Sequence, residues 1–174
     1  GMIAKKSGHT TLHVGDGKKG LGLIYEVLSE FDIPITFFQP THVNRNERLF
    51  NQGKQFLKDG GYVDLTCYSQ DRFTPLKAYK ELTKDNIPLD KLTFSSDGYG
   101  SYSNYDKDGK LINMGVATVK ALYNEFLNFM KADYKIEEIL PFITVNVAKS
   151  IGLDNFKGQI LPSYDADILL LDKN

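Results

Sequence analysis

Cysteine is all but missing from this chain: Cys67 stands alone among 174 residues. A lone thiol excludes an internal disulfide and any cysteine-built structural zinc cluster, so a bound metal would fall to histidine and carboxylate. Neither sign of charge is in surplus, with 21 Lys and Arg against 22 Asp and Glu and a formal net charge of -1. Such a chain has no long-range field to draw in nucleic acid or an anionic membrane, and neither is expected as a partner. No apolar run is long enough to span a bilayer and the N-terminus lacks a signal-peptide pattern, so a cytoplasmic location is expected. No internal repeat of about 20–50 residues and no low-complexity tract is present.

What remains is an ordinary globular composition, 41% hydrophobic and 25% charged. That is enough for a real core in one domain, or one domain with a small appendage. Gly1-Met2 reads as a tag scar followed by a start methionine, and residues 1–9 as a lead-in. From there strands and helices alternate. Thr10 to Val14 is a short β-branched strand, Gly15 to Gly20 a turn, and Leu21 to Phe31 a helix by apolar spacing. Ile33 to Phe38 reads as the second strand, Glu47 to Lys58 as a helix stopped by Gly60-Gly61, and Tyr62 to Cys67 as the third strand. Thr74-Pro75 opens a helix with an N-cap and a first-turn proline. Lys91 to Phe94 is the fourth strand, followed by a polar loop from Gly98 to Lys110. A long helix is expected over Gly115 to Lys131, and another over Ile136 to Ile151, interrupted near Pro141. Two short apolar strands, Gly158 to Pro162 and Ala166 to Leu171, close the chain. Alternating strands and helices imply a parallel sheet with right-handed crossovers.

Two motifs are decoys. Gly15-Asp-Gly17-Lys-Lys-Gly20 fits the dinucleotide fingerprint, but the next strand ends in Phe38-Gln39-Pro40, with no acidic residue to hold a ribose. A plain strand-to-helix turn is the simpler reading. Asn104-Tyr-Asp106-Lys-Asp108-Gly109 resembles the first half of a calcium loop, yet Gly115 stands where the bidentate glutamate belongs, which leaves a polar connection.

The informative pattern is a potential metal ligand at three strand ends: His13, His42 and Asp97. Strand ends of a parallel α/β protein share one rim, where distant side chains converge. Neutral imidazole suits zinc, and a strand-end carboxylate can bind metal and accept a proton from metal-bound water. Singly, each histidine could equally be a hydrogen-bonded strand-end residue, and Asp97 an Asx-turn residue. Arg45 could make a two-point contact with a substrate carboxylate or be a plain exposed arginine. His9, at a strand start, reads as structural, and Cys67 as a small packed residue.

Leu12-His13-Val-Gly-Asp-Gly-Lys-Lys19, Pro40-Thr-His-Val-Asn-Arg-Asn46 and Ser95-Ser-Asp-Gly-Tyr-Gly-Ser101 resemble, in order and spacing, the later motifs of the isoaspartyl (β-aspartyl) dipeptidases of the amidohydrolase superfamily. Gly158 to Leu171 resembles the return of such chains to their small β domain. The resemblance implies a (β/α)₈ TIM-like barrel with a small β-sandwich, two zinc ions at the mouth, and hydrolysis of β-aspartyl dipeptides. It assigns His13 and His42 to one zinc. Asp97 goes to the other zinc and serves as the catalytic proton-transfer group, while Arg45 and Ser101 contact substrate. The chain has three histidines and no His-x-His pair, and lacks the bridging lysine or glutamate of the family. The expectation is therefore the C-terminal half of the enzyme, strands five to eight, with residues 10–155 as four βα units and 156–174 as a β segment of the small domain. Such a half would leave strand edges and apolar interior side chains uncovered. It would be inactive alone and would form a homo-oligomer or join a separate N-terminal half. A silent oligomeric remnant with at most a weak metal site is the alternative.

Overall fold

The computed structural model describes residues 8–67 and 73–172, so most of the expected lead-in, residues 1–7, lies outside the described residues. In chain order, β1 (Thr10–His13), α1 (Gly22–Glu30) and β2 (Phe38–Thr41) are followed by α2 (Glu47–Lys58) and β3 (Val63–Thr66). Then come α3 (Pro75–Lys84), β4 (Leu92–Ser95), β5 (Ser101–Tyr105), β6 (Leu111–Val116), α4 (Lys120–Lys131), α5 (Ile136–Ile139) and α6 (Val145–Ser150). β1 pairs with β2 and β3 with β4, both in parallel, while β5 and β6 form an antiparallel hairpin.

The mixed α/β expectation holds, and local signals account for most elements. Asn46 caps α2 by accepting from the Leu49 amide at 2.9 Å, and Leu49, Phe50, Gly53, Phe56 and Leu57 make its buried stripe. Thr74 caps α3, with Pro75 in the first turn, where a missing N–H costs nothing. The strands alternate: Val63, Leu65, Leu92 and Phe94 face a core shared with Phe56, Phe126, Phe129 and Phe142. Their neighbours Asp64, Thr93 and Ser95 join Thr11, Gln39 and Thr41 around a cleft of about 420 Å³.

Four expectations need correction. Of the strand expected over Ile33 to Phe38, only Phe38 lies in β2. Pro34 fixes a turn, the Phe37 amide donates to its carbonyl at 2.9 Å, and Ile35–Phe37 forms a 3-10 turn before β2 begins. The loop from Gly98 to Lys110 contains β5, and Gly115 lies in β6, so the helix starts only at Lys120. Asp106 closes this hairpin by accepting from the Asp108 and Lys110 amides, both at 2.9 Å, which gives the calcium-like residues a turn-forming role. The two closing strands do not form in the described part of 156–174. Lys157 pairs there with Asp165 and Asp167 in a turn, and Ile168 to Leu171 are exposed with no strand beside them to complete a ladder. Finally, the cleft-facing strand residues are mostly polar rather than apolar. Exposed apolar residues instead mark β6, at Leu111, Ile112, Met114 and Val116, and the C-terminal stretch.

Among the described residues no backbone ladder joins β2 to β3. The Thr41 carbonyl is turned toward β1, where it accepts from the Val14 amide. Pro40 therefore faces the β3 side and has no N–H to donate. Asn44 takes over part of the ladder's work. Its Nδ2 donates to the carbonyls of Thr66 (2.9 Å) and Phe73 (2.8 Å), and its Oδ1 accepts from the Thr66 amide (2.9 Å). Asn44→Ala leaves these buried groups unsatisfied and is expected to cost about 2 kcal/mol in urea unfolding.

Candidate metal centre

His13 ends β1, His42 follows β2 directly, and Asp97 lies two residues beyond β4. His42 and Asp97 both turn out of their strands with left-handed backbone, φ 65° and 49°. These three residues offer ligand atoms all within 4.8 Å of one another, a group that could hold a metal ion. His13 Nδ1 and His42 Nε2 are 2.9 Å apart, with ring centroids at 4.9 Å. Imidazole nitrogens sharing one tetrahedral zinc stand roughly 3.3 Å apart, so a shift of a few tenths of an ångström fits the pair to an ion.

His42 is only 4% exposed, and its Nδ1 is 2.8 Å from Thr66 Oγ1. In the tautomer that donates from Nδ1 to this hydroxyl, Nε2 turns its lone pair toward His13, as a ligand's supporting hydrogen bond requires. Burial lowers the His42 pKa, Asp97 pulls it up, and the charges of Arg45 and His13 lower it further. The net effect favours the neutral imidazole that binds metal.

The other two site candidates are placed differently. Arg45 ends the 3-10 turn after His42, close enough for its charge to act on that ring. Its Nε is buried with no hydrogen-bond partner among the described residues. Ser101 opens β5 and is exposed, outside the cleft lining. His9 lines the same cleft as His13 and Asp97 but is not a member of the three-residue cluster.

The glycine-rich turn is pinned through its carbonyls. Arg48 donates to those of Lys18, Gly17 and Asp16, and Asn46 donates to the Asp16 carboxylate at 2.7 Å. The Leu21 amide at the head of α1 donates to Gln52 Oε1 at 2.9 Å. Gly20 has φ 53°, and a Cβ there would meet that oxygen at 2.0 Å. The turn is accounted for as a strand-to-helix connection.

Sequence reasoning missed Asp64. It is 5% exposed, and its Oδ2 accepts from Thr41 Oγ1 and Ser95 Oγ, each at 2.6 Å, while Oδ1 accepts from Thr93 Oγ1 at 2.8 Å. Burial pushes its pKa up to about 6 against the opposing pull of the three hydroxyls, and Asp97 adds to the rise. The available signal was a carboxylate inside an apolar strand, Val63-Asp64-Leu65. Gly100 was missed as well: a Cβ there would sit 2.6 to 2.8 Å from the Asp97 carboxylate. Gly100→Ala is expected to displace that flexible carboxylate, weakening cobalt or zinc binding about tenfold with an unchanged Tm. A chelator competition beside a melting curve checks it.

The fold and the cluster together describe an α/β chain with a potential metal site at the ends of parallel strands. No family model matches the sequence. Among solved structures the chain is similar to the beta-aspartyl dipeptidase of Fervidobacterium islandicum AW-1 in complex with a beta-Asp-Leu dipeptide, with 34% identity and a TM-score of 0.85. That match covers 95% of this chain and 44% of the other. A second structure of the dipeptidase from that organism gives 33% identity, a TM-score of 0.79, and coverage of 95% and 41%. The resemblance to beta-aspartyl dipeptidases is thereby shown, and the chain spans less than half the length of the structures it matches. Its likeness is to hydrolases, and no helix among the described residues is long and apolar enough to cross a membrane.

Proposed function

We propose that this chain supplies one side of the metal site of a zinc-dependent hydrolase acting on the β-aspartyl bond of dipeptides. The observation that carries the reading is the convergence of His13, His42 and Asp97 from three strand ends to within 4.8 Å. The likeness to a dipeptidase structure with bound beta-Asp-Leu supports it. His13 and His42 hold one zinc, and Asp97, from the second sheet, holds a neighbouring one. Zinc held there would lower the pKa of a bound water and polarise the scissile carbonyl. The Asp97 carboxylate takes the proton of the attacking water and delivers it to the leaving amine as the C–N bond breaks. Arg45, with a buried nitrogen that lacks a partner among the described residues, offers its guanidinium to a substrate carboxylate. Ser101 hydrogen-bonds beside it.

Three protein ligands are too few for two ions. The remaining ligands come from a complementary segment that completes a (β/α)₈ barrel, of which residues 10–155 form one half and 156–174 lead toward the small β domain. Exposed apolar side chains on β6 and at Ile168 to Leu171 favour association, either with that segment or between copies of this chain. The test is hydrolysis of beta-Asp-Leu by the purified chain, alone and mixed with a complementary N-terminal segment, with zinc present. No turnover alone and recovery on mixing is the expected result. High turnover by the chain alone contradicts the need for further ligands. No association on mixing favours a silent oligomeric scaffold, the second reading.

A further inference from the structure

The cluster draws its members from two separate sheets. His13 and His42 extend from the β1–β2 pair, and Asp97 extends from β3–β4. Within each pair a backbone ladder sets the spacing. Between the pairs none of the described backbone does, and Pro40 has no N–H to offer there. The geometry that brings Asp97 to the two imidazoles must therefore come from side chains bridging β2 to β3 and β4.

One residue sits at the centre of that bridge. Asp64 Oδ2 is gripped by Thr41, the residue directly before His42, and by Ser95, two residues before Asp97. Its Oδ1 takes Thr93, whose own oxygen accepts from Gln39 on β2 at 2.6 Å. Through one buried carboxylate the ends of β2 and β4 are thus fastened to β3. Hydrogen bonds to a buried carboxylate are short and strong, and three of them on one group leave it little freedom.

We propose that Asp64 is a positioning residue that sets the separation between the His13–His42 pair and Asp97. It is not one of the three clustered ligand candidates and acts through Thr41 and Ser95. The inference rests on the metal-site reading above, but its structural claim can be decided without a metal. It also makes a prediction that a general packing role does not: the carboxylate matters to metal binding only while Asp97 is there to be positioned. The two histidines share a ladder of their own and need no help from Asp64.

The experiment is a double-mutant cycle on the full chain, read by cobalt(II) affinity and by the visible spectrum of bound cobalt. Asp64→Ala is expected to weaken cobalt about 10–100-fold in the wild-type background, with a changed spectrum, and to have little effect in an Asp97→Ala background. Equal weakening in both backgrounds, or no weakening in either, overturns the proposal. Should the alanine variant fail to fold, Asp64→Asn, which keeps the volume and one acceptor oxygen, is carried through the same cycle with a smaller loss in the same pattern. Should the wild-type chain bind no cobalt, the metal-site reading fails by itself, and metal-free crystal structures decide the positioning claim. A wider gap between His42 and Asp97 in Asp64→Asn than in wild type supports it, and an unchanged gap overturns it.

Discussion

Replacing His42 by alanine is expected to weaken zinc binding by more than 100-fold, beyond what loss of a supporting residue alone costs. Its Nε2 stands 2.9 Å from His13 Nδ1 and its ring is buried, so alanine removes a ligand atom from the centre of the cluster. The change also leaves Thr66 Oγ1 without its imidazole partner, which adds about 1 kcal/mol of destabilisation visible in urea unfolding. His9→Ala is the matched control: the same residue type, just before β1 and outside the cluster, expected to leave zinc affinity unchanged. Competition against a chromogenic chelator measures both variants. Equal losses from the two would dissolve the distinction between His42 and a histidine outside the cluster.

Asp64→Asn is expected to gain stability over wild type as pH rises, by about 2 kcal/mol between pH 4 and pH 7. The Asp64 carboxyl has its folded pKa raised from 3.8 to about 6, chiefly by burial. Folding therefore favours its protonated form. That contribution is fully present below the unfolded value near 3.8 and is lost as pH rises through about 6. An amide does not titrate in this range, so the difference between the variants tracks this one group. Urea midpoints at pH 4, 5.5 and 7 read it directly, and a difference constant across the three would show that the carboxyl is not held above its ordinary range. Paired with the cobalt cycle, the result would describe a residue that costs stability at neutral pH and repays it in site geometry, a trade common at functional positions.

Much of this was legible in the sequence because the responsible interactions are local. Asn46 and Thr74 cap their helices one turn ahead, and Gly60 stops α2 with φ 87°. Strand-end positions for His13, His42 and Asp97 followed from the same alternation. The errors arose where distant partners decide. Ile33 to Phe38 has the composition of a buried strand, but Pro34 closes a turn and the pairing shifts to Phe38–Thr41. Met114-Gly115-Val116 fits a helix start until Ser101 to Ser103 pair with it. Ile168 to Leu171 has a strand's composition and no neighbouring strand in the described structure. Asp64 was invisible for the same reason, since its three hydroxyl partners lie 23 to 31 residues away. A lone acidic residue between Val63 and Leu65 announces burial but not its partners.

The most direct test of the account is anomalous scattering at the zinc edge from crystals of this chain grown with zinc. A peak is expected within coordinating distance of His13 Nδ1 and His42 Nε2, with Asp97 turned toward it or toward a second, neighbouring peak. Zinc density confined to surface carboxylates or to His9, with the His13–His42 pair still hydrogen-bonded to each other, would contradict it.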